Sequence, residues 1–171
     1  PVKSIGNSTT TPRDLETDLD VWIILMALSE SVSARLRKHG FKCKVVEIAI
    51  RDNGLNSITR QKRISQPTNI TDEIVKAAFE LFKKHYRWEH PIRSLGVRGS
   101  DLVMEDIPVQ LDLFNNQEKR EKLERLDRAV DEIRRRFGYF SIQRAAMYQD
   151  KVLSHLDAGT HTVHPHSYFH G

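Results

Sequence analysis

Cysteine is almost absent from this 171-residue sequence. Cys43 stands alone, so no internal disulfide can form, and its strand-like surroundings mark it as a small core or sheet-face residue of a protein in the reducing cytoplasm. Long apolar runs are missing as well. The longest, residues 21–28, falls far short of the ~20 residues that span a bilayer, and no segment has the charged-then-apolar layout of a secretory signal. Acidic residues are missing from residues 53–70, the stretch that holds Arg60, Lys62 and Arg63. A local surplus of that kind is either an ordinary solvated face or a surface for phosphate. Aromatic side chains are missing from the third and last predicted strands, which disfavours the stacking of unpaired bases.

What is present describes one globular domain with a core and an appendage. The chain is 39% hydrophobic and 29% charged, with a formal net charge of +4. The placement of that charge matters more than its size. Residues 1–105 carry 17 Lys/Arg against 13 Asp/Glu, and residues 106–171 carry 10 of each. The whole excess belongs to the front unit.

Residues 2–11 are rich in hydroxyls and β-branched side chains and end at Pro12, which predicts an exposed first strand. From Asp14 the spacing turns helical through Leu15, Leu19, Trp22, Ile23, Met26, Val32 and Leu36, with acids at the start, bases at the end and Gly40 as the stop. Residues 41–51 alternate as a strand, with Val46, Ile48 and Ile50 on one side and Val45, Glu47, Ala49 and Arg51 on the other. Asp52-Asn53-Gly54 supplies left-handed turn residues for a hairpin. In the return strand, residues 57–65, Ile58 and Ile64 share a face with Arg60 and Lys62. Either those basic stems snorkel or a bulge resets the faces. A second helix begins at Thr71-Asp72-Glu73 and buries Ile74, Ala78, Leu81 and Phe82. The last strand, residues 92–103, points Leu95 and Val97 one way and Ser94, Gly96 and Arg98 the other. The order is βαββαβ, an α+β fold with a four-stranded sheet, two helices on one face and the other face bare.

The stretch 108–116 separates this unit from a helical extension. Pro108 and the Asn115-Asn116 pair bracket Leu111, Leu113 and Phe114, which are either a short buried strand or a docking peptide. Beyond it, Leu123, Leu126, Val130, Ile133 and Phe137 form one apolar stripe on a helix over residues 117–137 that is expected to fold back on the domain, and residues 141–156 predict another helix. His161, His164, His166 and His170 have no nearby cysteine or carboxylate partner and read as a disordered tail rather than a metal site. The expected units are residues 1–106, a linker at 107–116, the extension at 117–158 and a tail at 159–171.

Taken as a set, Lys3-Ser4-Ile5-Gly6, Arg60 to Arg63, and Arg93-Ser94-Leu95-Gly96-Val97-Arg98 resemble the little-finger domain of Y-family translesion DNA polymerases, nearest the bacterial UmuC-like impB/mucB/samB type. Gln110-Leu111-Asp112-Leu113-Phe114 resembles the peptide with which bacterial polymerases and repair proteins bind the sliding clamp. The resemblance covers residues 1–114 in order, and the following stretch to Ala146 also resembles that group. It implies a domain that grips primer–template duplex DNA by its sugar–phosphate backbone, through Lys3, Ser4, Gly6, Arg60, Lys62, Arg63, Arg93, Ser94 and Arg98. Some relatives have a second arginine where this chain has Ser94, which implies a weaker contact there. For the clamp it implies Gln110, Leu111, Leu113 and Phe114, an extended peptide with one polar and two apolar anchors. In the family the magnesium-binding carboxylates of nucleotidyl transfer lie in an upstream palm domain. This chain is expected to lack them, to be non-catalytic by itself, and to belong to a polymerase of DNA-damage repair and SOS mutagenesis. Asp18-Leu19-Asp20 is the nearest lookalike and reads as a complement to the helix dipole. The rival readings are a stand-alone clamp-binding adaptor, separable by whether palm carboxylates precede Pro1 in the reading frame, and an RNA-binding module.

Overall fold

A computed structural model describes residues 1–108 and 116–155. The elements run β1 (Ser4–Leu15), α1 (Asp18–Lys38), β2 (Phe41–Asp52), β3 (Ser57–Thr68), α2 (Thr71–His85), β4 (Ile92–Met104), α3 (Gln117–Phe137), two 3-10 turns (Tyr139–Ser141 and Ala145–Gln149) and a short α4 (Lys151–Ser154). The predicted βαββαβ order is therefore present. The sheet order is β1-β4-β2-β3, with every neighbouring pair antiparallel.

Both long helices lie on one face. Residues paired across antiparallel strands share a face, and Ile5, Asn7, Val46, Ile48, Ile50, Leu95 and Val97 are all buried. Asn7 Nδ2 donates to Ser31 Oγ of α1 at 3.1 Å, and Lys62 Nζ reaches Glu80 of α2 at 2.7 Å from the same side. Helix α1 starts in a capping box, with Asp20 N donating to Thr17 Oγ1 at 3.1 Å and Thr17 N donating back to Asp20 Oδ2 at 3.3 Å. Its residues Val21 and Ile23 to Leu28 are buried without interruption. Helix α1 is sandwiched rather than amphipathic: the sheet covers one side, and Met147 and Leu153 of the extension join the same core.

Between β2 and β3 the left-handed residue is Leu55 (φ 69°), not Asn53 or Gly54. Asp52 sets this outcome. Its carboxylate accepts from Asn56 N at 2.9 Å while its own amide donates to Asn56 O at 3.0 Å, closing a loop in which Leu55 must turn back. Left-handed backbone at a leucine costs about 1–2 kcal/mol. The β3 parity question also resolves. The ladder from Ser57 to Arg63 is regular, and the irregularity comes after it, between the Val45–Arg63 and Cys43–Thr68 pairs. Ile58, Arg60 and Lys62 therefore share the helix-side face.

The extension folds back as expected, with Leu123, Val130 and Ile133 of its apolar stripe half-buried, but its fully buried side chains are polar. Only Arg120 and Asp127 of α3 are buried, while Leu126 is 48% and Phe137 74% exposed. A polar ridge makes the docking contacts. Arg37, at the end of α1, donates to Asp127 at 3.1 Å and to both oxygens of Asp131 at 2.7 and 2.8 Å. Arg120 holds Glu73 at 2.9 Å and Arg134 holds Glu30 at 2.5 Å. Asp127 also accepts from Thr71 N at 2.9 Å. Helix α2, whose N-cap Ile70 offers no side-chain bond, is thus capped by a residue of another helix. The predicted helix over residues 141–156 is replaced by the two 3-10 turns and α4. Asp150 caps α4 and its carboxylate pairs with Arg13 at 2.6 Å.

Candidate nucleic-acid interface

The face away from the helices is crossed by four rungs of aligned side chains, one residue from each strand. In order they are Ser4–Ser100–Val45–Arg63, Gly6–Arg98–Glu47–Gln61, Ser8–Gly96–Ala49–Thr59 and Thr10–Ser94–Arg51–Ser57. No aromatic side chain stands in these rungs. Hydroxyls, small residues and arginines make up most of them, a composition suited to phosphate oxygens and a close backbone and unsuited to base stacking. Among the described residues, α3 meets α1 and α2 at Glu30, Arg37, Thr71 and Glu73, while Ser8, Thr10, Ala49, Arg51, Thr59, Arg63 and Arg98 of this face are exposed.

Of the residues expected to touch DNA, Ser4, Gly6, Arg63, Ser94 and Arg98 stand in the rungs, and Lys3 is exposed just before β1. Arg98 is 56% exposed, with its Nε 3.9 Å from Glu47 on the next strand. Gly6 lets the Arg98 stem lie across β1, because a Cβ at position 6 would sit 3.2 Å from both Cβ and Cγ of Arg98. The Gly6 carbonyl accepts from Arg35 Nη1 at 2.9 Å, tying this edge of the sheet to α1. Arg63 pairs with Asp101 at 2.8 Å. Arg93 precedes the regular rungs, beside the β1 irregularity, and pairs with Asp14 at 3.2 Å.

Arg60 and Lys62 do not join them. The register places both on the helix-side face at the β3 edge, Lys62 engaged by Glu80 and Arg60 donating to Thr59 O at 2.8 Å. Gln110, Leu111, Leu113 and Phe114 lie outside the described residues, as do the four tail histidines.

The carboxylates of the Asp18-Leu19-Asp20 run are committed structurally. Asp18 is held below its usual range by the Lys83 ammonium and then the Trp88 indole N–H. Burial pushes Asp20 upward, but the Arg13 guanidinium and the Glu16 and Thr17 amides together bring it down. Burial pushes the Cys43 thiol up to about 12.

Sequence reasoning missed Arg51. Alternation had put it on the bare side with Val45, Glu47 and Ala49, yet its basic charge carried no motif. It stands at the edge of a concavity of about 800 Å³ lined by Ser8, Thr10, Ala49, Ser57, Thr59, Ser94 and Gly96, among others.

The model of the impB/mucB/samB family C-terminal domain matches residues 2–113. DNA polymerase IV of Acetivibrio thermocellus is 47% identical over 156 residues, covering 91% of this chain and 39% of that protein. DNA polymerase IV of Alkaliphilus oremlandii is 34% identical over 153 residues, covering 85% of this chain and 38% of that protein. The chain thus spans about two fifths of the length of these curated relatives. A solved complex of a beta-clamp processivity factor and the little finger domain of PolIV matches with a TM-score of 0.50 at 16% identity, covering 66% of this chain and 99% of that one. That likeness is one of fold. With the family model covering most of its length and its sheet built on the little-finger plan, the chain belongs to the impB/mucB/samB family, as its C-terminal domain.

Proposed function

We propose that this domain grips primer–template duplex DNA through its open sheet face, without regard to sequence, and tethers a translesion polymerase to the sliding clamp. The observation that carries the reading is the uncovered face itself. Arg63, Arg98 and Arg51 project from it among hydroxyls and small residues, with no aromatic ring in its rungs. Phosphate contacts of this kind position a protein on duplex without reading bases. Lys3, Ser4, Gly6, Ser94 and Arg93 extend the contact at its margins. Arg60 and Lys62 would meet DNA only where the duplex wraps the β3 edge, and Lys62 would first have to leave Glu80.

Belonging to a family whose relatives include DNA polymerase IV supports a parent DNA-directed DNA polymerase acting in damage repair and SOS mutagenesis in the cytoplasm. The magnesium ions and the nucleotidyl transfer belong to the parent's catalytic part, and this domain supplies orientation and processivity. Gln110, Leu111, Leu113 and Phe114 form the clamp peptide in this reading.

Titrating the chain against fluorescein-labelled primed duplex tests the grip. Binding should be indifferent to sequence, and affinity should fall as salt rises. Replacing Arg93 and Arg98 together by alanine should lower the slope of log K against log salt by about 1.8, at 0.9 for each phosphate no longer neutralised. An unchanged slope rejects the assignment. For the clamp, Leu113→Ala with Phe114→Ala should abolish co-elution with the bacterial sliding clamp while the melting curve stays the same, and retained co-elution rejects that role.

A further inference from the structure

Resting on the duplex-binding reading and extending it, we propose that Arg51 is a further phosphate-anchoring residue, holding one sugar–phosphate strand in the trough beside it. Three observations converge on this residue. The first is its rung. Thr10, Ser94, Arg51 and Ser57 pair in line across all four strands. A guanidinium with two hydroxyls on one side and one on the other offers parallel N–H donors and flanking O–H donors to phosphate oxygens.

The second is the shape next to it. The neighbouring rung is built on Gly96 and Ala49, and a Cβ at position 96 would sit 3.2 Å from Ser8 Cβ and 3.5 Å from Ala49 Cβ. The floor is therefore backbone and small side chains. Three interstrand spacings make the trough about 14 Å long across the sheet. Arg98 lies on its far side, four residues along the strands from the Arg51 rung, or about 13 Å. A strand lying across the sheet in this trough runs between the guanidiniums of Arg51 and Arg98.

The third is the freedom of the charge. Arg63, Arg93 and Arg98 each face a carboxylate, at 2.8, 3.2 and 3.9 Å. Arg51 has no ion-pair partner among the described residues, so it enters a complex without surrendering one.

The experiment uses the same labelled duplex between 0.05 and 0.2 M salt. Arg51→Gln should lower the salt slope by about 0.9, which, with curves converging at 1 M, is about an eightfold loss of affinity at 0.1 M. Arg51→Lys should keep the slope. Ala49→Leu, which fills the trough and changes no charge, should weaken binding as well, and circular dichroism of each variant should match the wild type. If Arg98→Gln lowers the slope and Arg51→Gln does not, the trough proposal is overturned and the duplex reading stands. If the unmodified chain shows no salt-dependent binding to duplex, both fall.

Discussion

Replacing Asp127 separates two contributions that the docked extension combines. Its side chain is 5% exposed. One oxygen accepts from Thr71 N at 2.9 Å and from Arg37 at 3.1 Å, and the other faces Arg144 at 3.4 Å. Asp127→Ala strands the Thr71 amide, and an unsatisfied buried donor costs about 1–3 kcal/mol. Arg37 is not stranded, because it keeps both oxygens of Asp131 and the Asn69 carbonyl at 2.8 Å. The cost therefore stays below the 3–5 kcal/mol typical of breaking a buried pair outright, at about 2–3 kcal/mol. Asp127→Asn behaves differently. Burial pushes the Asp127 carboxyl above its ordinary range despite the Thr71 amide and the two arginines, so the negative charge adds little and an amide oxygen can serve Thr71. The asparagine variant is expected within about 1 kcal/mol of wild type. Trypsin digestion reads the difference, since a protease needs an unfolded backbone, the docked α3 keeps its own helical, and the cutting rate follows the open population. The alanine variant should be cut about 30 to 150 times faster, with the asparagine variant near wild type. Equal rates for alanine and wild type would refute the account of Asp127 as a cap supplied from another helix.

Three other outcomes are expected. Gly99→Ala should lower the unfolding free energy by about 1–3 kcal/mol, because the new Cβ would meet Cys43 Cβ and Sγ at 3.0 Å and Leu36 Cδ1 at 3.5 Å; a change under 0.5 kcal/mol in a urea melt would count against so tight a contact. With its thiol pushed up to about 12 by burial, Cys43 should resist a thiol-specific dye at pH 8 until the protein is denatured, and stoichiometric labelling of the native chain would contradict its burial. Acid should loosen the Arg13 junction. Asp20 and Asp150 are both depressed: in Asp20 burial is outweighed by Arg13 and two amides, and in Asp150 the Leu153 amide and then Arg13 do the lowering. A depressed carboxyl contributes stability that is complete above its unfolded value, near 3.9, and lost as pH falls through the folded one. The melting temperature should thus hold from pH 7 to 5 and drop below about pH 4, with a shallower drop in Arg13→Gln; identical pH profiles would overturn this assignment.

Local signals carried most of the fold and told which sheet face stays open. Leu95 and Val97 alternating with Ser94, Gly96 and Arg98 told which side of β4 would stay bare, and the acidic start and basic end of α1 marked its direction. Ile58–Arg60–Lys62–Ile64 could not be placed by alternation, because a face that is half aliphatic and half cationic satisfies both the core-facing and the exposed description. The unbroken pairing of Ile58, Arg60 and Lys62 with the buried Ile50, Ile48 and Val46 of β2 decides it, and Glu80 of α2 then meets Lys62 from that side. The docking face of α3 was illegible for a related reason. An apolar stripe is visible in any helical wheel, whereas Arg120, Asp127, Asp131 and Arg134 become a docking ridge only because Glu73, Arg37 and Glu30, all remote in sequence, meet them in space. Likewise, nothing near Ile70 hinted that α2 would receive its cap from Asp127.

Because Met147 and Leu153 complete the packing around α1, and Asp127 finishes the start of α2, the packed body runs on past the family match at residues 2–113. Cutting after Pro108 would preserve all four rungs of the open sheet face, yet would strip the outer wall from helix α1 and bare the guanidinium of Arg37. Anyone grafting this domain onto another protein should carry it through Ser154.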